Sequence, residues 1–519
     1  MAAGGLRADA AMLIALTVWA LLPFALLLPG SEGVFNGSTG IAVADDMQYL
    51  SWVRDAGQNV LFSSYFDVAP DPHLFLHPMA ALSGLAWQLG AGVQLAYLAW
   101  KPITILLLLV GFAAYVRRML GSDRRAGFAA LFVALFFFTP ATPAVRLLGV
   151  DDPQLLFGTD ILGLEGFPAG YLWGGLFASV SIALMPLFLL GVERVLEPAR
   201  RGEHSARAYV AATGAAGLLA SWLHPWQGMT LLVILGGLVA WGRFDRRYLS
   251  LAVPAGLTLA PLLYYFALSH TDSSWGFASM ERSYSHFGWW FLLGIAPALL
   301  ALPGYWGGPH EDVQERLIRL WPVAGLAVYF GLDQSWFYHA LGGLSLPLAI
   351  LAVRGWRRLH LPRALAVATI FAVTVPGAAY AVSELLETKQ EHFFKAGEKQ
   401  ALDYVERSAR PGPVLAPYEP LGYAVPAFAG RRTWVGHYNW TPQAQTRDAR
   451  ADALFDGNLE AGDARLLVDE SRAAFLISDC RDRADLMRTL GDLVVKRTRF
   501  GCATVYEIRD RSSTLGVRR

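Results

Sequence analysis

Residues 11–28 read AMLIALTVWALLPFALLL, a run without a single charged side chain. A helix rises 1.5 Å per residue, so about 20 such residues cross the hydrocarbon of a bilayer. The run is longer than the apolar part of a usual signal peptide, and no convincing A-x-A cleavage site follows it, so it reads as a membrane helix rather than a leader. Ten further candidates follow: Tyr97–Val116, Ala126–Phe138, Ala169–Leu190, Tyr209–Leu223, Met229–Trp241, Leu249–Leu268, Trp289–Leu302, Leu320–Leu332, Ala340–Ala352 and Ala364–Val382. None occurs after residue 386. A chain of 519 residues with 54% apolar and only 16% charged residues, at a mean hydropathy of +0.37, agrees with that count.

The arginines set the expected orientation, because Lys and Arg of short loops stay cytoplasmic. With the N-terminus inside, Arg7, Arg117, Arg118, Arg124, Arg125, Arg194, Arg200, Arg201 and Arg207 all fall on the cytoplasmic side. So do Arg243, Arg246, Arg247, Arg316, Arg319, Arg354, Arg357, Arg358 and Arg363, whereas Arg54, Lys101, Arg146 and Arg282 stand on or near the outer side. The long loops, 29–96, 139–168 and 269–288, are then outer ones, where function is to be sought. The net charge of +1 points to no partner, and no basic tract with interleaved aromatics argues for nucleic acid.

Beyond Val382 the composition becomes mixed, and Lys389, Lys395 and Lys399 follow a region whose only lysine is Lys101. The expected organisation is an α-helical polytopic domain over 1–385 carrying the first outer loop 29–96, an extracytoplasmic α/β domain over 386–510, and a tail, 511–519. Within the second domain the patterns predict helices at Phe393–Ser408, Ala444–Asn458, Asp463–Glu470 and Arg481–Leu490, with strands at Pro413–Ala416, Arg432–Gly436, Ala474–Ser478 and, as a closing pair, Val494–Ile508. Cys480 and Cys502 lie at strand edges on the side where oxidation can occur; a disulfide and two buried thiols are both open readings.

The first outer loop contains Ala44-Asp45-Asp46-Met47-Gln48-Tyr49-Leu50-Ser51-Trp52-Val53-Arg54. Paired carboxylates ahead of an amphipathic stretch place two acids at the membrane surface, on a helix lying in the interface. A carboxylate there can serve as general base to a hydroxyl, and two together can hold a divalent cation. The simpler reading is that Asp45 or Asp46 caps the helix.

These features together resemble the GT-C superfamily of membrane glycosyltransferases, in particular its bacterial members. The local likeness lies in Ala44-Asp45-Asp46 with Tyr49-Leu50-Ser51-Trp52, in Ser221-Trp222-Leu223-His224-Pro225, and in Leu346-Pro347-Leu348-Ala349-Ile350-Leu351. It continues in Pro426-Ala427-Phe428-Ala429-Gly430-Arg431-Arg432, leading to Val435-Gly436-His437. The WWD-type motif of the oligosaccharyltransferases is missing from the C-terminal part.

The resemblance implies transfer of a sugar, with inversion, from a polyprenyl-phosphate donor to an extracytoplasmic acceptor of the cell envelope, whether glycan, lipid or protein. An aspartate of the first outer loop, here Asp45 or Asp46, would be general base or ligand to a divalent cation such as Mg or Mn. Charge gathers on the leaving phosphate, so fixed cations should matter there. Lys101 is the first candidate, since an ionisable residue in a membrane helix is functional by default, although it could equally snorkel to the headgroups. Arg146, Arg282 and His286 are candidates for the same task, against a reading as solvated surface charges. His224 could bind sugar or phosphate, or satisfy backbone at the Pro225 break. Asp151, Asp152 and Glu165, with Asp160, form a second acidic cluster, from which the family often contributes a further acid. His437 and Arg431 are weaker candidates. A lipid or solute transporter or flippase, or an inactive envelope-binding relative, would share the hydropathy pattern. Transporters more often show inverted repeats and mid-membrane charges, of which only Lys101 is seen here.

Overall fold

The computed structural model describes residues 3–69, 72–197, 203–280, 288–306, 312–333, 336–481 and 483–509. The chain divides into two compact units. The first comprises Met1–Pro23, Trp100–Ala267 and Ser279–Leu386; the second, Phe24–Ala99, Leu268–Ala278 and Glu387–Arg519. The first-loop residues therefore cluster with the C-terminal segment, where the sequence partition had grouped 29–96 with 1–385.

Among the described residues, five helical spans are long and apolar enough to cross a membrane: Arg7–Leu27, Val93–Leu120, Leu176–Leu196, Arg246–Thr271 and Arg363–Glu387. The pair Arg124–Phe136 and Ala141–Leu147, bent by 55°, makes up to six. Pro225–Trp241 and Trp289–Tyr305 are apolar but shorter. The eleven windows of the sequence thus meet helices of unequal length, because Pro140, Pro225 and Pro303 interrupt or start them. Multi-pass membrane character follows.

In the first unit the helix Leu176–Leu196 is central, with 83% of its apolar window buried, against 22% for Arg363–Glu387. It packs on Trp100–Leu120 and Glu203–Leu223. The approach is close: a Cβ on Gly111 would stand 2.5 Å from Ala183 O, so only glycine fits. At the arginine-rich helix ends, Arg118 bridges Glu193 at 2.5 Å and Asp312 at 2.8 Å, and Arg354 meets Glu315 at 2.8 Å. Asp312 also caps the helix Val313–Gly331 through Gln314 N and Glu315 N. Charges that are half removed from water are thereby paired.

In the second unit, strand β1 (Val34–Phe35) pairs antiparallel with β2 (Phe393–Phe394). A four-stranded sheet follows, β3 (Val414–Leu415), β4 (Phe475–Ser478), β5 (Val494–Phe500) and β6 (Ala503–Ile508), in the order β3-β4-β6-β5. The β3/β4 pair is parallel and the other two are antiparallel. All four residues of β4 are buried, whereas β5 carries Lys496, Arg497 and Arg499 at the sheet edge, where charge discourages further pairing. Cys480 and Cys502 are joined in a disulfide.

Three elements differ from expectation. The helix expected from Phe393 begins at Ala396, since Phe393–Phe394 is taken into β2. Instead of a strand over Arg432–Gly436, only Thr433 bridges to Val414, through Val414 N–H to Arg432 O and Trp434 N–H to Val414 O; beyond it Gly436 N–H and His437 N–H turn to Thr441 Oγ1. Helix Arg481–Leu490 shrinks to Met487–Leu490, as Arg483 is held by Asp479, Asp452 and Asp456.

Candidate functional site

The helix Val43–Asn59 carries both loop aspartates in its first turn. It is not an open interfacial helix. Met47, Leu50, Trp52, Val53, Asp55 and Ala56 are all buried, and it packs on Pro78–Gln88 and Tyr423–Ala429. A Cβ on Gly84 would stand 2.4 Å from Gly57 N, so the first contact requires glycine on both helices. Trp52, Phe62, Phe75, Trp275 and Trp440 form an aromatic cluster beneath it, with Trp440 Nε1 donating to Gln48 Oε1 at 2.7 Å.

The two aspartates have different environments. Asp46 is 1% exposed, and its Oδ2 accepts from Ser38 Oγ at 2.7 Å, Thr39 N at 3.0 Å and Gly40 N at 2.9 Å, while Tyr97 donates to Oδ1 at 3.3 Å. It ties the incoming loop to the helix. The Asp45 side chain is 58% exposed, and its Oδ1 lies 3.0 Å from Nε2 of His437, itself only 5% exposed. Asn439 N–H donates to His437 Nδ1 at 3.2 Å, so that nitrogen keeps its lone pair and the imidazole proton resides on Nε2, directed at Asp45. A buried histidine therefore orients one carboxylate oxygen of an otherwise exposed base.

Tyr418 lies close enough to be influenced by Asp45. Burial, then Tyr438 and Asp45, push its phenol well above the usual range, so it remains an O–H donor. Its ring lies tilted at 4.7 Å from that of Tyr438, whose hydroxyl donates to Asp448 Oδ2 at 2.6 Å.

A second constellation stands in the first unit. Glu165 accepts from Tyr171 Oη at 2.5 Å and lies 2.8 Å from His339 Nδ1. The rings of His339, Trp226 and His224 meet tilted or edge to face, with centroids 4.6 to 4.8 Å apart. His224 Nδ1 bonds Gln227 Oε1, and Gln227 Nε2 donates to His339 O at 2.8 Å. Lys101, 4% exposed, directs its ammonium to the carbonyls of Leu172 and, at 3.5 Å, Trp173, in the turn that holds Tyr171.

The other sequence candidates are distributed differently. Arg146 pairs with Asp160 at 2.9 Å, and Tyr380 donates to the same carboxylate at 3.0 Å. Asp152 caps the helix Pro153–Glu165 through Gln154 N and Leu155 N, and Asp151 is exposed beside it. Arg431 donates to Ser408 O at 2.7 Å. Arg282 and His286 lie outside the described residues.

No protein-family model matches the chain, and no curated protein does. Among solved structures it is similar to ArnT from Cupriavidus metallidurans bound to undecaprenyl phosphate, at TM-score 0.54 and 14% identity, covering 97% of this chain and 98% of that one. It is similar at TM-score 0.54 and 15% identity to the arabinofuranosyltransferase AftD from Mycobacteria, covering 96% of this chain and 42% of that one. For the apo oligosaccharyltransferase of Archaeoglobus fulgidus the TM-score is 0.50 and the identity 12%, over 91% and 69% of the two chains. These neighbours are GT-C glycosyltransferases. The chain has the GT-C fold.

On this GT-C fold the pair Asp45 and Asp46 does not suit a divalent cation. Asp46 Oδ2 is taken by three protein donors and Asp46 Oδ1 by Tyr97, and Asp45 Oδ1 faces His437, so the pair leaves one carboxylate oxygen, Asp45 Oδ2, where a hard cation needs several. Among the described residues no group of three or more His, Cys, Asp or Glu side chains is arranged to hold a metal ion. Residues passed over in the sequence are Tyr171, Gln227, His339 and Tyr418. His339 follows the aromatic run Trp336-Phe337-Tyr338 at an expected outer helix end, which was its only signal.

Proposed function

We propose that the chain is a membrane glycosyltransferase that moves a sugar from a polyprenyl-phosphate donor to an extracytoplasmic acceptor, with Asp45 as general base. One observation carries this reading: Asp45 combines an exposed carboxylate with one oxygen fixed by the Nε2–H of a buried histidine. In the proposed step the second oxygen takes the proton of an acceptor hydroxyl. That hydroxyl oxygen bonds to the anomeric carbon, the bond from this carbon to the phosphate oxygen breaks, and polyprenyl phosphate leaves with inversion. Tyr418, kept protonated, is assigned to hold the incoming sugar as a donor. Asp46 is assigned to positioning, since its hydrogen bonds shape the loop that presents Asp45.

The donor class is supported by a neighbour of the same fold bound to undecaprenyl phosphate and by another that is an arabinofuranosyltransferase. The Glu165, His339 and His224 group, with the turn that Lys101 braces, is assigned to donor recognition. The arrangement of arginines supports an inner-membrane protein with eleven spans, a cytoplasmic N-terminus and an extracytoplasmic α/β domain over 386–510. No step is routed through a metal ion.

The test is transfer of radiolabelled sugar from a panel of polyprenyl-phosphate sugars to membrane extract, comparing wild type with Asp45→Asn and Asp46→Asn at matched expression. Loss in Asp45→Asn at retained fold supports the base. Full activity in Asp45→Asn rejects it.

A further inference from the structure

The first unit contains a cleft of about 640 Å³ that the glycosyl-transfer reading does not use. One wall is the helix Arg124–Phe136, represented from Arg125 through Ala129 and Val133 to the following Phe137. Thirteen residues at 1.5 Å each make that wall about 20 Å long. The helices Ser345–Arg358 and Arg363–Ala372 supply the facing sides. None of the residues of Arg363–Ala372 is buried, so the cleft borders a face that only a bilayer would cover.

The two ends of the cleft differ in charge. The far end is apolar, closed by Leu162, Leu341 and Val373. At the near end stand Asp123, Arg125, Trp356, Arg357, His360 and Arg363. Asp123 is occupied, since it pairs with Arg357 and caps its helix through Ala126 N at 3.0 Å. Arg125 and Arg363 have no ion-pair partner among the described residues, so the near end carries uncompensated positive charge. Trp356 adds an independent sign: its Nε1 is buried and finds no acceptor, a deficit that an acceptor in the cleft would fill.

We propose that this cleft binds an anionic glycerophospholipid, its phosphodiester received by Arg125, Arg363 and the Trp356 Nε1–H, and an acyl chain along the apolar wall. Basic pockets between membrane helices on the cytoplasmic side are suited to anionic head groups, and the arginine pattern puts this end on that side. The apolar end of the cleft adjoins Glu165 and His339 through Gly166 and Leu341, but the charged end that carries the proposal uses none of the groups assigned above, so it does not rest on the proposed activity.

The test is thermal unfolding of the purified full-length chain in detergent with phosphatidylglycerol, phosphatidylcholine or undecaprenyl phosphate added. Phosphatidylglycerol should raise the midpoint of wild type by roughly a few degrees, as ligand binding to the folded state alone does. The shift should vanish in Arg125→Gln/Arg363→Gln and weaken in Trp356→Phe. Equal shifts with phosphatidylcholine, a shift undiminished in the double variant, or a shift with undecaprenyl phosphate alone each overturns the proposal. Native mass spectrometry of the wild-type chain gives a reading that needs no variant. Preferential retention of phosphatidylglycerol is expected, and equal retention of phosphatidylcholine overturns the site.

Discussion

His437 donates its Nε2–H to Asp45 Oδ1 across 3.0 Å, although the two residues are separated by 392 positions in the chain. The direction of the proton is fixed by Asn439 N–H on the opposite ring nitrogen. If Asp45 is the base, Asp45→Asn should lower transfer by about 10²–10⁴-fold. His437→Leu should lower kcat by up to about 10²-fold through misorientation, and His437→Gln, which keeps an N–H, should retain more. A His437→Gln enzyme no better than His437→Leu, with unfolding midpoints equal, would count against the orienting role.

Asp46 should behave as a structural acid. Its Oδ2 receives one hydroxyl and two backbone donors, and hydrogen bonds to charged groups contribute about 1.5–3 kcal/mol each. Asp46→Ala should lower the unfolding midpoint by several degrees, measured by intrinsic fluorescence, more than Asp45→Ala does. Equal midpoints for the two variants would remove this distinction.

The Cys480–Cys502 disulfide closes a separation of 22 residues in the second unit. Constraint of the unfolded chain over such a loop contributes about 3 kcal/mol. Cys480→Ser/Cys502→Ser should therefore unfold at lower denaturant than wild type, and reductant should shift wild type but not the variant. Coincident curves for reduced and oxidised wild type would show that the link adds nothing.

His392 predicts acid sensitivity. Burial lowers its pKa from 6.5 to about 4, although its Nδ1 lies 3.0 Å from Ser38 O and that hydrogen bond opposes the shift. The folded state thus binds fewer protons than the unfolded one between these values, and stability falls as pH drops from about 6.5 toward 4. His392→Asn should flatten the wild-type midpoint curve over that window. A wild-type midpoint constant from pH 7 to 5 would contradict the burial of a neutral ring.

How much of this was legible depended on distance along the chain. Apolar runs and arginine placement read locally, and they conveyed membrane character and, with the first-loop acids, the likeness in fold. The pair Asp45 and Asp46 could be singled out by its neighbours, whereas the difference between the two could not, because that difference is made by Ser38–Gly40 on one side and by His437 on the other. Glu165 was named only as one acid of a cluster, for its partner His339 lies 174 residues away. The strand expected at Arg432–Gly436 is cut to a single bridge because Gly436 N–H and His437 N–H are taken by the Thr441 hydroxyl, a side-chain competition that the apolar pattern of the run does not encode.

The span between Asp45 and His437 also bears on biogenesis. A ribosome adds about 5–20 residues per second, so His437 is synthesised tens of seconds after Asp45. During that interval β1 awaits β2 and the carboxylate lacks its orienting ring. A nascent chain not yet extended to His437 would display the aspartate with no means of aiming it, and competence would arrive only once that histidine has emerged.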